Sequence, residues 1–202
     1  MKPYDGKLFK ILDNKKSCHG GNHVWSPREW VRVVGELIPC ERGIPICREQ
    51  DLLAWLGPEI WAAEYRGEEF IDHGTKVVVR EARITTKYEN WNETTARLLA
   101  CDFAEKVVHL CEDDTRPAEA IRIIRLYAQG KVTKEELAAV RAAAGEAAGE
   151  AAWEAAWAAA GEAAWEAAWA AAGEAARAAA RAAAGGEMRQ WQTEKLIALL
   201  FK

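Results

Sequence analysis

From Gly149 to Ala160 the chain reads GEAAWEAAWAAA, and the same twelve residues return from Gly161 to Ala172. A third copy, Gly173 to Ala184, carries Arg177 and Arg181 where the two Trp stood. Beneath the repeat runs a four-residue beat: Arg141, Gly145, Gly149, Trp153, Trp157, Gly161, Trp165, Trp169, Gly173, Arg177, Arg181 and Gly185. Ala has the highest helix propensity, so this stretch reads as helix. Each Gly costs about 1 kcal/mol there, but none has the Asn, Asp, Pro or Ser neighbour that would make a turn. A continuous helix is favoured over a chain of hairpins, with a break near Gly161 and Gly173 as the alternative.

A helix turns ~100° per residue, so a twelve-residue repeat rotates the Trp pair by ~120° and raises it ~18 Å. Trp153 with Trp157 and Trp165 with Trp169 therefore point in different directions on a straight helix. As one helix, Lys134 to Ala184 would be about 75 Å long, against about 30 Å for a helix from Asn92 to Cys111. The shorter helices cannot cover all of it, and exposed aromatic patches mark interfaces. Trp153, Trp157, Trp165, Trp169, Arg177 and Arg181 are the candidate binding residues, for a protein partner or for a second copy of the chain. The plainer alternative makes the four Trp the core of a helical bundle. Stacking of nucleobases on Trp beside Arg177 and Arg181 is the weaker sharp reading.

A chain of 202 residues makes one large domain or two small ones. Half of it is hydrophobic, and ten Trp compensate for the small area each Ala buries. The net charge of −4 argues against a general nucleic-acid or anionic-membrane binder. No stretch has the roughly 20 apolar residues that span a bilayer. The opening MKPYDGKLFKIL lacks an apolar run before a small-residue cleavage site, and five Cys form no disulfide framework. A cytoplasmic protein with reduced thiols is the expectation.

Residues 1–88 read as short strands and short helices. Leu8 to Leu12 is a candidate strand, as is Ile60 to Tyr65, and Lys76 to Thr85 (KVVVREARIT) is the best one. Ser26-Pro27-Arg28-Glu29 has helix-start grammar, predicting a short helix to Val34. Arg48 to Leu56 reads as an amphipathic helix ended by Gly57-Pro58. From Trp91 the pattern turns helical. Asn92 caps a first helix; Pro117 opens a second, stopped by Gly130; Thr133 and Glu136 form a capping box. A last amphipathic helix runs from Glu187 to Phe201, presenting Trp191, Leu196, Leu199 and Leu200.

Chemistry is sparsely signalled. Cys18, His19, His23, Cys40 and Cys47 are the residue types of a zinc site, but their spacing matches no standard knuckle. His73 beside Asp72 has the makings of a general-base pair, though the two are neighbours on a turn. Gly20-Gly21 lacks the Lys-Ser/Thr sequel of a phosphate loop, and no nucleophile elbow is present.

The stretch Cys101-Asp102-Phe103-Ala104-Glu105, then Asp114 to Ile121 (DTRPAEAI), then Ala128-Gln129-Gly130 ahead of an Ala-rich run, resembles a helical immunity-protein family of bacterial polymorphic-toxin loci, also seen in phage genomes. The likeness covers residues 91–202, including the terminal Trp191 helix. Cys40 to Cys47 (CERGIPIC) resembles a segment of small phage-associated domains, with Pro45 in place of an expected His. The resemblance implies a non-enzymatic binding protein that neutralises a toxin, a host defence factor or a signal.

The expected fold is α+β: a small β-containing domain over residues 1–88, then an all-α, Ala/Trp-rich domain over residues 91–202, as a long helix or a bundle. The expected function is immunity-like or anti-defence binding, with no cofactor. A self-assembling structural protein is the alternative. An enzyme or nucleotide-binding protein with a site around His19, His23 and His73 is the third.

Overall fold

In the computed structural model, which describes residues 6–18, 22–106, 116–137 and 186–202, six strands form one antiparallel sheet. They are β1 (Leu8–Asp13), β2 (Lys16–Ser17), β3 (Val31–Arg32), β4 (Ile44–Arg48), β5 (Glu59–Asp72) and β6 (Val77–Lys87). The described helices are α1 (Glu93–Glu105), α2 (Arg116–Ala128) and α3 (Gly186–Leu200), with a 3-10 helix at Glu49–Ala54. The GEAAWEAAWAAA repeat, and with it Trp153, Trp157, Trp165, Trp169, Arg177 and Arg181, lies outside the described residues. The chain divides into two compact units, Met1–Trp91 with Leu200–Lys202, and Asn92–Leu199.

The sheet's pairings close on themselves. β1 pairs with both β4 and β5, and both of these pair with β6. The result is a small barrel whose four ring strands leave little free edge. β2 extends β1 as a tight hairpin, and β3 continues along β6 beyond β4. β5 serves two neighbours: Glu59 to Ala63 pairs with β1, and Trp61 to Asp72 with β6. Register shifts between Trp61 and Ala63, and between Arg66 and Phe70, bend it around the ring.

Alternation along the strands fills the barrel. Leu8, Leu12, Trp25, Ile44, Ile46, Trp61, Val77, Val79 and Ile84 form its buried cluster. β1 is buried on both faces, from Leu8 to Leu12, because Phe9 and Ile11 on its opposite side are covered too. The β5–β6 turn is tied by the His73 N–H donating to the Lys76 carbonyl at 2.9 Å, with Gly74 at φ +68°. Arg48 holds this end of the barrel. Its Nε meets Asp51 at 2.5 Å and its Nη1 meets Asp72 at 2.6 Å, and it also donates to the Gly74 carbonyl. On the outer surface the cross-strand pairs Glu64–Arg83 and Arg66–Glu81 are ion pairs, and Trp30 lies within 4.4 Å of the Arg66 guanidinium and 4.7 Å of that of Arg83.

In the second unit α1 begins as expected. The Asn92 side chain accepts from the Thr95 N–H at 3.1 Å while the Thr95 hydroxyl accepts from the Asn92 N–H at 3.0 Å. Cys101, Ile123, Ile124 and Leu137 form a buried cluster there, and Asp102 and Glu105 of α1 bind Arg125 of α2. α2 is followed by Gly130 at φ +69°. Thr133 and Glu136 make the capping box, with reciprocal hydrogen bonds of 2.8 and 3.2 Å.

The expected fold class is corrected. The architecture is mixed: a six-stranded antiparallel sheet with a few short helices, and not a small β domain ahead of an all-α domain. The reason lies in strand length. β5 has 14 residues and β6 has 11, because β5 continues past Tyr65 through Arg66, Gly67, Glu68 and Glu69. Those residues are polar because that arm of the hairpin faces solvent, and polarity there resembles a turn. α1, α2 and α3 are only 13 to 15 residues long.

Two smaller expectations also fail. Ser26 to Val34 is not a helix. Arg28 takes φ +68° and donates its N–H to the Ile84 carbonyl at 2.7 Å, and Val31–Arg32 pairs with β6. Val31 and Val33 pack on the barrel core, so the sheet outcompetes the local capping pattern. The stretch from Arg48 contains only the 3-10 helix Glu49–Ala54, since Arg48 itself ends β4.

Candidate functional site

The middle of β1 sets up the site. Its sequence is LFKILD, so the strand carries Lys10 into a buried stretch. Strand alternation puts Lys10 on the same side as Leu8 and Leu12, which belong to the barrel cluster. Only 4% of Lys10 is exposed. Its Nζ donates to the Pro45 carbonyl at 2.9 Å and lies 5.3 Å from the Trp25 ring. No carboxylate among the described residues pairs with it. Burial disfavours the charged form, so desolvation lowers its pKa from 10.5 to about 8.

Lys10 lines a cavity of about 400 Å³ in the sheet unit. A second cation, Lys76, stands at the end of the β5–β6 turn. Its Nζ donates to the Cys40 sulfur at 3.4 Å and lies 4.9 Å from the Trp55 ring. The Trp55 indole is fixed in turn, its N–H reaching the Thr75 carbonyl at 2.8 Å. Ile11, Pro45, Val78 and Gly43 supply apolar wall, and Glu41 is the one carboxylate among the described lining residues. It pairs with neither lysine. Lining residues of this kind, mostly apolar with a few aimed charges, characterise small-molecule sites.

Three thiols reach the same cavity: Cys18, Cys40 and Cys47. Cys18 follows β2. Cys47 comes from β4, and Cys40 sits at φ +70° in the loop closed by the Ile38–Arg42 backbone pair. Desolvation pushes Cys47 up to about 12 and Cys18 up to about 11, so both are neutral thiols near pH 7.

The structure therefore brings together Cys18, Cys40 and Cys47 from the sequence-based cluster, but around a lysine. Among the described residues no three His, Cys, Asp or Glu side chains are grouped to hold a metal ion. His23 is instead stacked edge-on against Trp25 at 5.3 Å, and His19 lies outside the described residues. The His73–Asp72 pairing does not form as a catalytic couple, because Asp72 is engaged by Arg48. The candidate binding residues Trp153, Trp157, Trp165, Trp169, Arg177 and Arg181 are likewise beyond what the structure describes. Sequence reasoning passed over Lys10, Lys76 and Trp55. The one available signal was a lysine in the centre of an apolar strand, where solvent-facing placement is the ordinary reading. No helix among the described residues is long and apolar enough to cross a membrane. Set against protein-family models, curated proteins and solved structures, the chain matches none.

Proposed function

We propose that this is a binding protein that captures a small organic anion in the cavity lined by Lys10 and Lys76. The observation that carries the reading is Lys10: a buried lysine, without a carboxylate partner among the described residues, lining a cavity that a second lysine also lines. A buried charge without its counter-charge is costly. An anion seated in the cavity supplies that counter-charge, to Lys10 and Lys76 together. The apolar wall and the fixed Trp55 ring suit a flat or apolar body attached to the anionic group. Capture of a small anionic signal is also the form that an immunity-like, anti-defence role takes on this cavity.

The test is calorimetric titration with 4-(hydroxymethyl)benzoate, a flat carboxylate without a carbonyl electrophile. Saturable binding by the wild type is expected, weakened at least about tenfold in Lys76→Glu, a change worth about 1.4 kcal/mol or more. Absence of saturable binding, or equal binding by Lys76→Glu, overturns the reading.

A further inference from the structure

The geometry points to Lys10 as a covalent anchor: its amine forms an imine with an aldehyde or ketone of the captured molecule while Lys76 pairs with the anionic group. This inference rests on the capture reading above and names the ligand class, a carbonyl-bearing organic anion.

The surroundings of Lys10 fit that chemistry. Lys10 is buried and lines the cavity, and among the described residues its one hydrogen bond is to the Pro45 carbonyl, which does not tie the amine up as a carboxylate would. Pro45 and Val78 give the cavity apolar surface that limits water there, and imines are lost by hydrolysis. Burial leaves a free-amine fraction near neutral pH, which an ordinary lysine lacks, because its pKa falls to about 8. The neighbouring Cys18 and Cys47 are pushed the other way by the same desolvation, so as protonated thiols they compete poorly for the carbonyl carbon. Lys76 stands over Trp55 and supplies a cation for the anionic end.

The step balances without an oxidant. The Lys10 nitrogen lone pair forms a bond to the carbonyl carbon, giving a carbinolamine. Loss of water then breaks the carbon–oxygen bond and leaves C=N. The oxygen departs with the two hydrogens of the neutral amine.

The experiment uses 4-carboxybenzaldehyde with sodium cyanoborohydride at neutral pH, followed by peptide mapping of the reduced adduct. Lys10 is expected to carry at least about tenfold more adduct than Lys16, the exposed lysine of β2, because reactivity follows the free-amine fraction and binding. The preference should vanish in urea, and 4-(hydroxymethyl)benzoate should protect Lys10. Lys10→Arg keeps a cation and should bind 4-(hydroxymethyl)benzoate without forming the adduct. Lys76→Met should lower labelling of Lys10 several-fold. If native Lys10 is labelled no more than Lys16 while 4-(hydroxymethyl)benzoate still binds, the imine is wrong and capture stands. If neither occurs, both fail. Unchanged labelling in Lys76→Met also overturns the anchoring stated here.

Discussion

The Nζ of Lys10 donates to the carbonyl oxygen of Pro45 at 2.9 Å, so the cation of β1 is held by the backbone of β4 and, among the described residues, by no carboxylate. A neutral carbonyl stabilises an ammonium far less than an ionised partner does. The cavity beside it is lined by Lys76 as well, and this surplus of positive charge is the basis of the functional reading.

Lys10 should cost stability in the absence of ligand. Its folded pKa is lowered from 10.5 to about 8, so the penalty is complete below pH 8, shrinks between pH 8 and 10.5, and is gone above that. Lys10→Met should therefore be more stable than wild type near neutral pH, by on the order of 3 kcal/mol before the lost hydrogen bond is counted. The advantage should close as pH rises through that window. Cys18 and Cys47, raised to about 11 and about 12, act oppositely above pH 9; the Lys10 charge lowers both, so its loss deepens their effect in the variant and helps to close the advantage there. Urea unfolding of the pair across this range is the check; a difference independent of pH would refute the assignment.

Thiol reactivity should be ordered by position. Cys40 is exposed, whereas Cys47 and Cys101 are buried and pushed up to about 12 and about 11 by desolvation. Iodoacetamide at neutral pH should label Cys40 in the native protein and reach Cys47 and Cys101 only after unfolding. Early labelling of Cys47 would overturn the ordering.

Gly43→Ala should be strongly destabilising. An added Cβ would lie 2.2 Å from Cγ1 of Val78, and the backbone sits at φ +150°. Overpacking and backbone strain together predict a loss of at least about 2 kcal/mol, read as a lower urea midpoint. Because Gly43 lines the cavity, 4-(hydroxymethyl)benzoate binding should fall as well.

Asn92→Ala removes the acceptor for the Thr95 N–H and half of a reciprocal cap on α1. It should cost about 1 kcal/mol, and Asn92→Gly only a few tenths. No loss in Asn92→Ala would show that the side-chain bond is not what matters.

Local grammar was legible wherever neighbours in sequence supply the partner. Asn92 with Thr95, Thr133 with Glu136 and Gly130 behind α2 are all decided within a few residues, and all form. The strands read at Leu8 to Leu12, Ile60 to Tyr65 and Lys76 to Thr85 all correspond to strands of the sheet, although β5 extends beyond the sequence reading because its outer half is polar. Ser26-Pro27-Arg28-Glu29 shows the limit: a sound helix start was overruled by pairing with β6, about fifty residues away in the chain.

The site depended on tertiary structure almost entirely. By itself the sequence determined which residue types were available: a lysine inside LFKILD, three cysteines before residue 48, and a Gly at position 43. It could not show that β1, β4, β5 and β6 close into a ring, because ring closure is a matter of long-range register. Closure is what turns Lys10 inward, brings Cys40 and Lys76 to 3.4 Å, and leaves a cavity between them. A lysine's charge is written in the sequence, but the loss of solvent that makes it reactive is a property of the folded barrel alone.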